Sequence, residues 1–190
     1  MKNDLVLSYD ELPAVWVEEI TFEKSQFFIK EIIRLDSDPD VSDIFVYIST
    51  YGGGAYALLG MIEAMNSCGK PVHTIGLGMC ASAGGILLAA GTGTRFLSPN
   101  SFLHIHNVQT GIEGDIPDME HFLSAQKELQ RKLFKALLER SSLSSKELTD
   151  ILKKNREEWH LTAQQAKKYG FIDVIGVPKM KRSIVNEVEW

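Results

Sequence analysis

Cysteine is scarce: Cys68 and Cys80 are the two in a chain of 190 residues. Two are too few for a disulfide framework, and they form no CxxC metal or redox pair. Both lie among apolar neighbours and read as small buried hydrophobes, which suits a reducing cytoplasm. Basic charge is not in excess either. Twenty Lys and Arg against 25 Asp and Glu leave a formal net charge of −5, so the chain carries no electrostatic footprint for nucleic acid. No apolar run reaches the length of a membrane span. Met1-Lys2-Asn3-Asp4 leads into no hydrophobic segment of the signal-peptide kind. These absences predict a cytoplasmic protein with neither a membrane nor a nucleic-acid partner. The length suits one domain, 1–190, opened by a short irregular segment, 1–14.

What the chain does have is glycine in two particular places. Ile44-Phe45-Val46-Tyr47-Ile48 is an almost continuous apolar run, as in a buried parallel strand, and it ends in Tyr51-Gly52-Gly53-Gly54. A helix follows, with Leu58, Leu59, Ile62 and Met65. Val72-His73-Thr74-Ile75 is a second strand. It leads into Gly76-Leu77-Gly78-Met79-Cys80-Ala81-Ser82-Ala83-Gly84-Gly85 and then an apolar helix from Ile86. Two successive strand–turn–helix units predict an α/β sheet with covering helices, both glycine turns lying at the carboxyl ends of neighbouring strands. Ser82 sits at a turn of small residues, where a helix start offers free N–H groups. It reads equally well as a helix N-cap or as a nucleophile.

Upstream, Val15-Trp16-Val17 is a short strand and Thr21 an N-cap for a helix ended by Asp38-Pro39. Downstream, Arg95-Phe96-Leu97 and Phe102-Leu103-His104-Ile105-His106 read as two strands. The pattern from Asp118 to about Arg140 is a long helix with Met119, Phe122, Leu123, Leu129, Leu133 and Phe134 on one side. Ser144 or Ser145 caps another helix. Leu161-Thr162-Ala163 starts a short helix closed at Gly170, Phe171 to Ile175 is a final strand, and the tail from Lys179 has no pattern.

Ser82, His106 and Asp173 supply the parts of a nucleophile–base–orienter triad. Order along the chain does not show that they meet. His104 lies two residues from His106, hence on the same strand face, and is an alternative base. The two histidines lack a third ligand spaced nearby, which argues against zinc. Cys80 precedes the turn and does not occupy its tip. Asp173 also reads as a strand cap.

Four ordered motifs carry a resemblance. Tyr47-Ile48-Ser49-Thr50-Tyr51-Gly52-Gly53 resembles Y-I-N-S-P-G-G, and Gly78-Met79-Cys80-Ala81-Ser82-Ala83-Gly84 resembles G-x-A-A-S-M-G. Pro99-Asn100-Ser101 with Ile105-His106 resembles P-N-S-x-x-x-I-H. Thr162-Ala163 through Tyr169-Gly170-Phe171-Ile172-Asp173 resembles S-A-x-x-A-x-x-Y-G-L-V-D. These are motifs of the proteolytic subunit of the Clp protease, serine peptidases of the crotonase-like fold, and the similarity spans about 15 to 176.

The resemblance implies an α/β fold of repeated ββα units with a projecting handle helix, about 108–141. It implies Ser82 as nucleophile, His106 as general base, Asp173 as the residue orienting the imidazole, and the Gly53 and Ala83 N–H groups as the oxyanion hole. No cofactor and no metal is implied. The implied function is a serine endopeptidase that cleaves unfolded or flexible peptides inside a homo-oligomeric ring, with an AAA+ unfoldase as partner. Tyr51 stands in place of the family's proline, and Asn107-Val108 in place of Gln-Pro. Glu158-Trp159 stands where the family has an Asp-Arg pair, read here as a ring contact. Diverged relatives of this kind include viral head-maturation proteases. Two other classes compete: an inactive relative acting as an assembly or scaffold subunit, and an acyl-CoA enzyme of the same fold.

Overall fold

The computed structural model describes residues 13–178. The irregular segments read at the two ends of the chain fall, apart from residues 13 and 14, outside the described residues. The first half alternates strand and helix: β1 (Ala14–Val17), α1 (Phe22–Ser37), β2 (Ile44–Thr50), α2 (Ala55–Asn66), β3 (Val72–Ala81), α3 (Ala83–Ala89). β4 (Arg95–Leu97), β5 (Phe102–His106), α4 (Ile116–Leu138), α5 (Ser145–Lys154), β6 (Glu158–Thr162), α6 (Ala163–Lys168) and β7 (Val174–Ile175) follow. The architecture is the mixed α/β arrangement expected, with a parallel sheet covered by helices.

β1, β2, β3, β4 and β7 pair side by side and parallel. Val46, Ile48, Val72 and Ile75 on the central strands, with Leu87 and Leu88 of α3, are fully buried, as strands covered on both faces require. Caps close the helices where the sequence marks them. Thr21 accepts the Lys24 N–H ahead of α1, and Ser144 forms a reciprocal capping box with Glu147 ahead of α5.

The strand read at 72–75 in fact runs on to Ala81. Its small residues let it continue through crowded ground: a Cβ on Gly76 would lie 2.6 Å from Leu97 Cδ1 and 2.8 Å from Cys80 Sγ. Gly78 has φ of +68° and re-aims the chain. The first half of β3 therefore pairs with β4, through Thr74–Gly76, and the second half with β5, through Met79–Ala81.

β6 is a strand where the sequence reading sees only a helix start. It pairs antiparallel with β5. Only Trp159 and Leu161 carry its apolar face, too short a run to stand out. Conversely, Phe171 and Ile172 are buried but precede the two-residue β7.

Candidate active site

β2 and β3 end side by side, with Thr50 opposite Cys80, so both glycine turns meet. The contact is close: a Cβ on Gly52 would lie 2.7 Å from Ser82 Cβ. Gly52 and Gly53 have φ of +110° and +148°, and a Cβ on Gly53 would lie 2.1 Å from the Ile20 carbonyl oxygen. Only glycine serves at both positions. On either side of Gly53 the backbone is pinned, Gly52 N–H to Thr50 Oγ1 at 3.0 Å and Gly54 N–H to Ile20 O at 2.7 Å. Among the described residues, the Gly53 N–H between them has no partner.

Ser82 is one of three non-glycine residues with positive φ among the described residues, at +55°, with ψ of −123°. A residue held there costs on the order of 1–3 kcal/mol and persists because its surroundings fix it. Its N–H donates to His104 O at 2.8 Å, and its carbonyl accepts from Gly85 and Ile86. Ser82 stands at the N-cap position of α3, as the sequence suggests, but its side chain makes no capping bond and its hydroxyl is left for other use. Ala83 opens α3, and its N–H has no preceding turn to bond.

Ser82, Ala83, Gly53 and His106 line one cavity of about 420 Å³. Leu58, Ile86, Val108, Leu133 and Phe134 supply apolar wall. His106 Nδ1 lies 2.6 Å from the Asn107 carbonyl oxygen. A carbonyl only accepts, so Nδ1 is the donor, and in the neutral imidazole that tautomer leaves the lone pair on Nε2. Cys80 is fully buried, and burial pushes its thiol up to about 12, which removes it as a nucleophile near neutral pH.

Asp173 is not brought to His106. Its Oδ1 accepts from Arg95 Nη2 at 2.7 Å. Its Oδ2 accepts from Arg95 Nε at 3.0 Å, the Arg95 N–H at 2.9 Å and Arg140 Nη2 at 3.2 Å. Arg95 pairs with Thr74, seven residues before Ala81 on β3. That places Asp173 on the other side of the Gly78 bend of β3 from Ser82. It neutralises Arg95, which is 2% exposed. Burial raises the Asp173 carboxyl, but the hydrogen bonds and charge of Arg95, with Arg140, outweigh it and hold the group below its ordinary value.

The carboxylate nearest in register to His106 is Glu158, directly opposite it across β5 and β6. His104 faces His160 in the same way. Leu103, Ile105, Trp159 and Leu161 turn inward, so His104, His106, Glu158 and His160 share the other face. Glu158 Oε2 lies 3.9 Å from His104 Nε2 and 3.8 Å from His160 Nε2. Burial, then the neighbouring imidazoles, push His104 down, which favours its neutral form. The period-two alternation of Glu158, Trp159, His160 and Leu161 was the available signal for this strand. Reading Glu158-Trp159 as a ring contact passed over it.

The family model described as Clp protease matches residues 9–179. The chain belongs to the Clp protease family. A curated relative, the ATP-dependent Clp protease proteolytic subunit of Ligilactobacillus salivarius (strain UCC118), is 34% identical over 171 residues, 87% of this chain and 82% of the relative. Membership makes this chain a serine-type endopeptidase. Among the described residues no helix is long and apolar enough to cross a membrane.

Proposed function

We propose that the chain cleaves flexible peptides by acyl transfer at Ser82, with His106 as general base and Glu158, not Asp173, as the carboxylate that supports it. The observation that supports this most is the shared cavity: a strained serine, a histidine whose Nδ1 is held by the Asn107 carbonyl, and two backbone N–H groups unpartnered among the described residues line one space. Ser82 Oγ attacks the scissile carbonyl carbon and passes its proton to His106 Nε2. The carbonyl oxygen becomes an oxyanion facing the Gly53 and Ala83 N–H groups. Collapse expels the amine, which takes the proton back from His106, and water then hydrolyses the ester by the same steps.

The Asn107 carbonyl sets the histidine tautomer but brings no negative charge to the imidazolium. Glu158 sits one strand away and supplies that charge when its side chain turns toward His106. The apolar wall suits an apolar side chain beside the scissile bond.

The peptidase acts in a homo-oligomeric ring that encloses the cavities, as the fold's long α4 supports. The relative's name carries ATP dependence. Neither glycine turn here is followed by the Lys-Ser/Thr of a phosphate loop, so ATP would act through a separate AAA+ unfoldase. A fluorophosphonate probe tests the reading. It should label Ser82, located by peptide mass spectrometry, and Ser82→Ala should take no label. Labelling at another serine, or none in a protein that still cleaves peptide, refutes it.

A further inference from the structure

The face shared by β5 and β6 holds more donors than a triad uses. One ring nitrogen each of His104 and His160 and a Glu158 carboxylate oxygen lie within 4.8 Å of one another. His104 Nε2 is wholly buried and, among the described residues, has no hydrogen-bond partner. A buried ring nitrogen left without a partner is costly, and a structure tolerates it where something else meets that atom. The His104 and His160 rings stack at 4.0 Å and 4°, and the Nε2 of each lies within 4 Å of the same Glu158 oxygen. Glu158 and His160 are more than half exposed, which leaves an entry path from solvent.

We propose that His104, His160 and Glu158 form a divalent transition-metal site of the zinc class, which when filled draws Glu158 away from His106. Two imidazoles and one carboxylate, with water in the fourth place, are a donor set zinc accepts. Bonds of about 2.0–2.1 Å in a tetrahedron separate the donors by about 3.3 Å. The present 3.8 and 3.9 Å gaps to Glu158 close with small rotations of side chains on the exposed face. The parallel rings tilt toward each other so that both lone pairs converge on the ion. The sequence reading set zinc aside because no third ligand is spaced near His104 and His106. The pairing of β6 with β5 supplies two.

The metal site stands on its own geometry, while its effect on catalysis rests on the proposed role of Glu158. A bound ion takes the carboxylate that His106 would use. It also puts positive charge beside the place where the imidazolium forms: the His104 and His106 ring centroids are 5.4 Å apart. Filling the site should therefore slow attack by Ser82.

The test titrates tag-free, full-length protein with zinc chloride by calorimetry, and with cobalt chloride by visible absorption. The expected result is about one ion per chain, with the intense cobalt bands of a tetrahedral N/O site. His160→Gln and His104→Gln should each weaken binding by about 100-fold or more, since even outer-shell partners are worth 10–100-fold. His160→Gln, on an exposed side chain, keeps the test valid should His104→Gln not fold. No binding, or binding untouched by His160→Gln, overturns the site. In parallel, zinc should slow fluorophosphonate labelling of Ser82 in the parent and lose that effect in His160→Gln. Zinc that binds as expected without slowing labelling overturns the coupling to His106. A parent that neither takes label nor cleaves peptide defeats the peptidase reading, while the calorimetry still decides the metal site.

Discussion

Asp173 and Arg95, 78 residues apart, hold each other through both carboxylate oxygens, at 2.7 and 3.0 Å. A carboxylate so engaged has no oxygen left for His106. Glu158, facing His106 across β5 and β6, is the carboxylate proposed for that role. The two carboxylates should therefore fail differently. Glu158→Gln should keep the fold and lower peptide turnover by about 10²–10⁴-fold, as loss of a triad carboxylate does. Asp173→Asn should leave Arg95 buried with a weaker partner. Breaking a buried pair costs about 3–5 kcal/mol, and solvent at Asp173 brings the loss nearer about 2–3 kcal/mol. Thermal midpoints and kcat, measured on both variants, decide. A stable but inactive Asp173→Asn would restore it to the triad.

The same pair sets a pH dependence of stability. Asp173 titrates below its ordinary value of 3.8 when folded. Its folded pKa is depressed, so the unfolded chain binds more protons and stability rises with pH across that range. The contribution is complete above the unfolded value and is lost as pH falls through the folded one. The gap in thermal midpoint between parent and Asp173→Asn should be widest near neutrality and shrink below about pH 4. A constant gap down to about pH 3 would show that the ion pair is not its source.

Ser82→Ala should reduce hydrolysis of a fluorogenic peptide by about 10⁴-fold or more while leaving the thermal midpoint close to the parent's. The removed oxygen makes no cap to α3 and leaves no core cavity. Replacing the strained φ of +55° by glycine at this position should stabilise the chain by a few tenths to about 1 kcal/mol, since glycine bears that conformation without a Cβ penalty. Ser82→Gly more stable than Ser82→Ala in urea unfolding is the expected order. The reverse order would mean that the turn stores no strain.

Local signals carried most of the fold and brought the two glycine turns of the candidate site to notice. The apolar run of β2, the glycines at 52–53 and Ser82 ahead of α3 each declare themselves within ten residues, so the meeting of the two turns was readable. The strand offered both His104 and His106 on one face, and the resemblance, not the strand, singled out His106. The third group was not readable this way. Asp173 and Glu158 both lie within or beside the last motif, and choosing between them needs the register of β6 against β5, which is a long-range fact. β6 is only five residues long. Arg95 looked like a strand residue of no consequence. Its burial is what claims Asp173, and nothing in its neighbours announces a buried guanidinium.

Ile116 and Leu123 should be found at a subunit interface. α4 covers 23 residues, and its two halves differ. Leu129, Leu133, Phe134 and Leu137 are buried against this chain's own α2 and α3 layer, at 8% exposure or less. Leu133 and Phe134, which the sequence places on one side of the helix with Phe122 and Leu123, are therefore used by the protomer itself. The amino-terminal half keeps Ile116 at 70% and Leu123 at 46% exposure, with Ile112 nearby at 40%. Apolar side chains grouped on a projecting helix mark an interaction surface more often than scattered ones do. A variant at Leu133 would damage the core and say nothing about assembly. Ile116→Glu combined with Leu123→Glu places charge only where the chain meets solvent, so it should preserve the thermal midpoint of the protomer. Multi-angle light scattering at micromolar concentration should give an oligomer for the parent and a smaller mass for the double variant. If the handle interlocks two rings, the mass should halve. If it seals neighbours within a ring, the mass should fall to that of the free chain. A strictly monomeric parent, or an unchanged mass in the variant, would show that this half of α4 is not an interface.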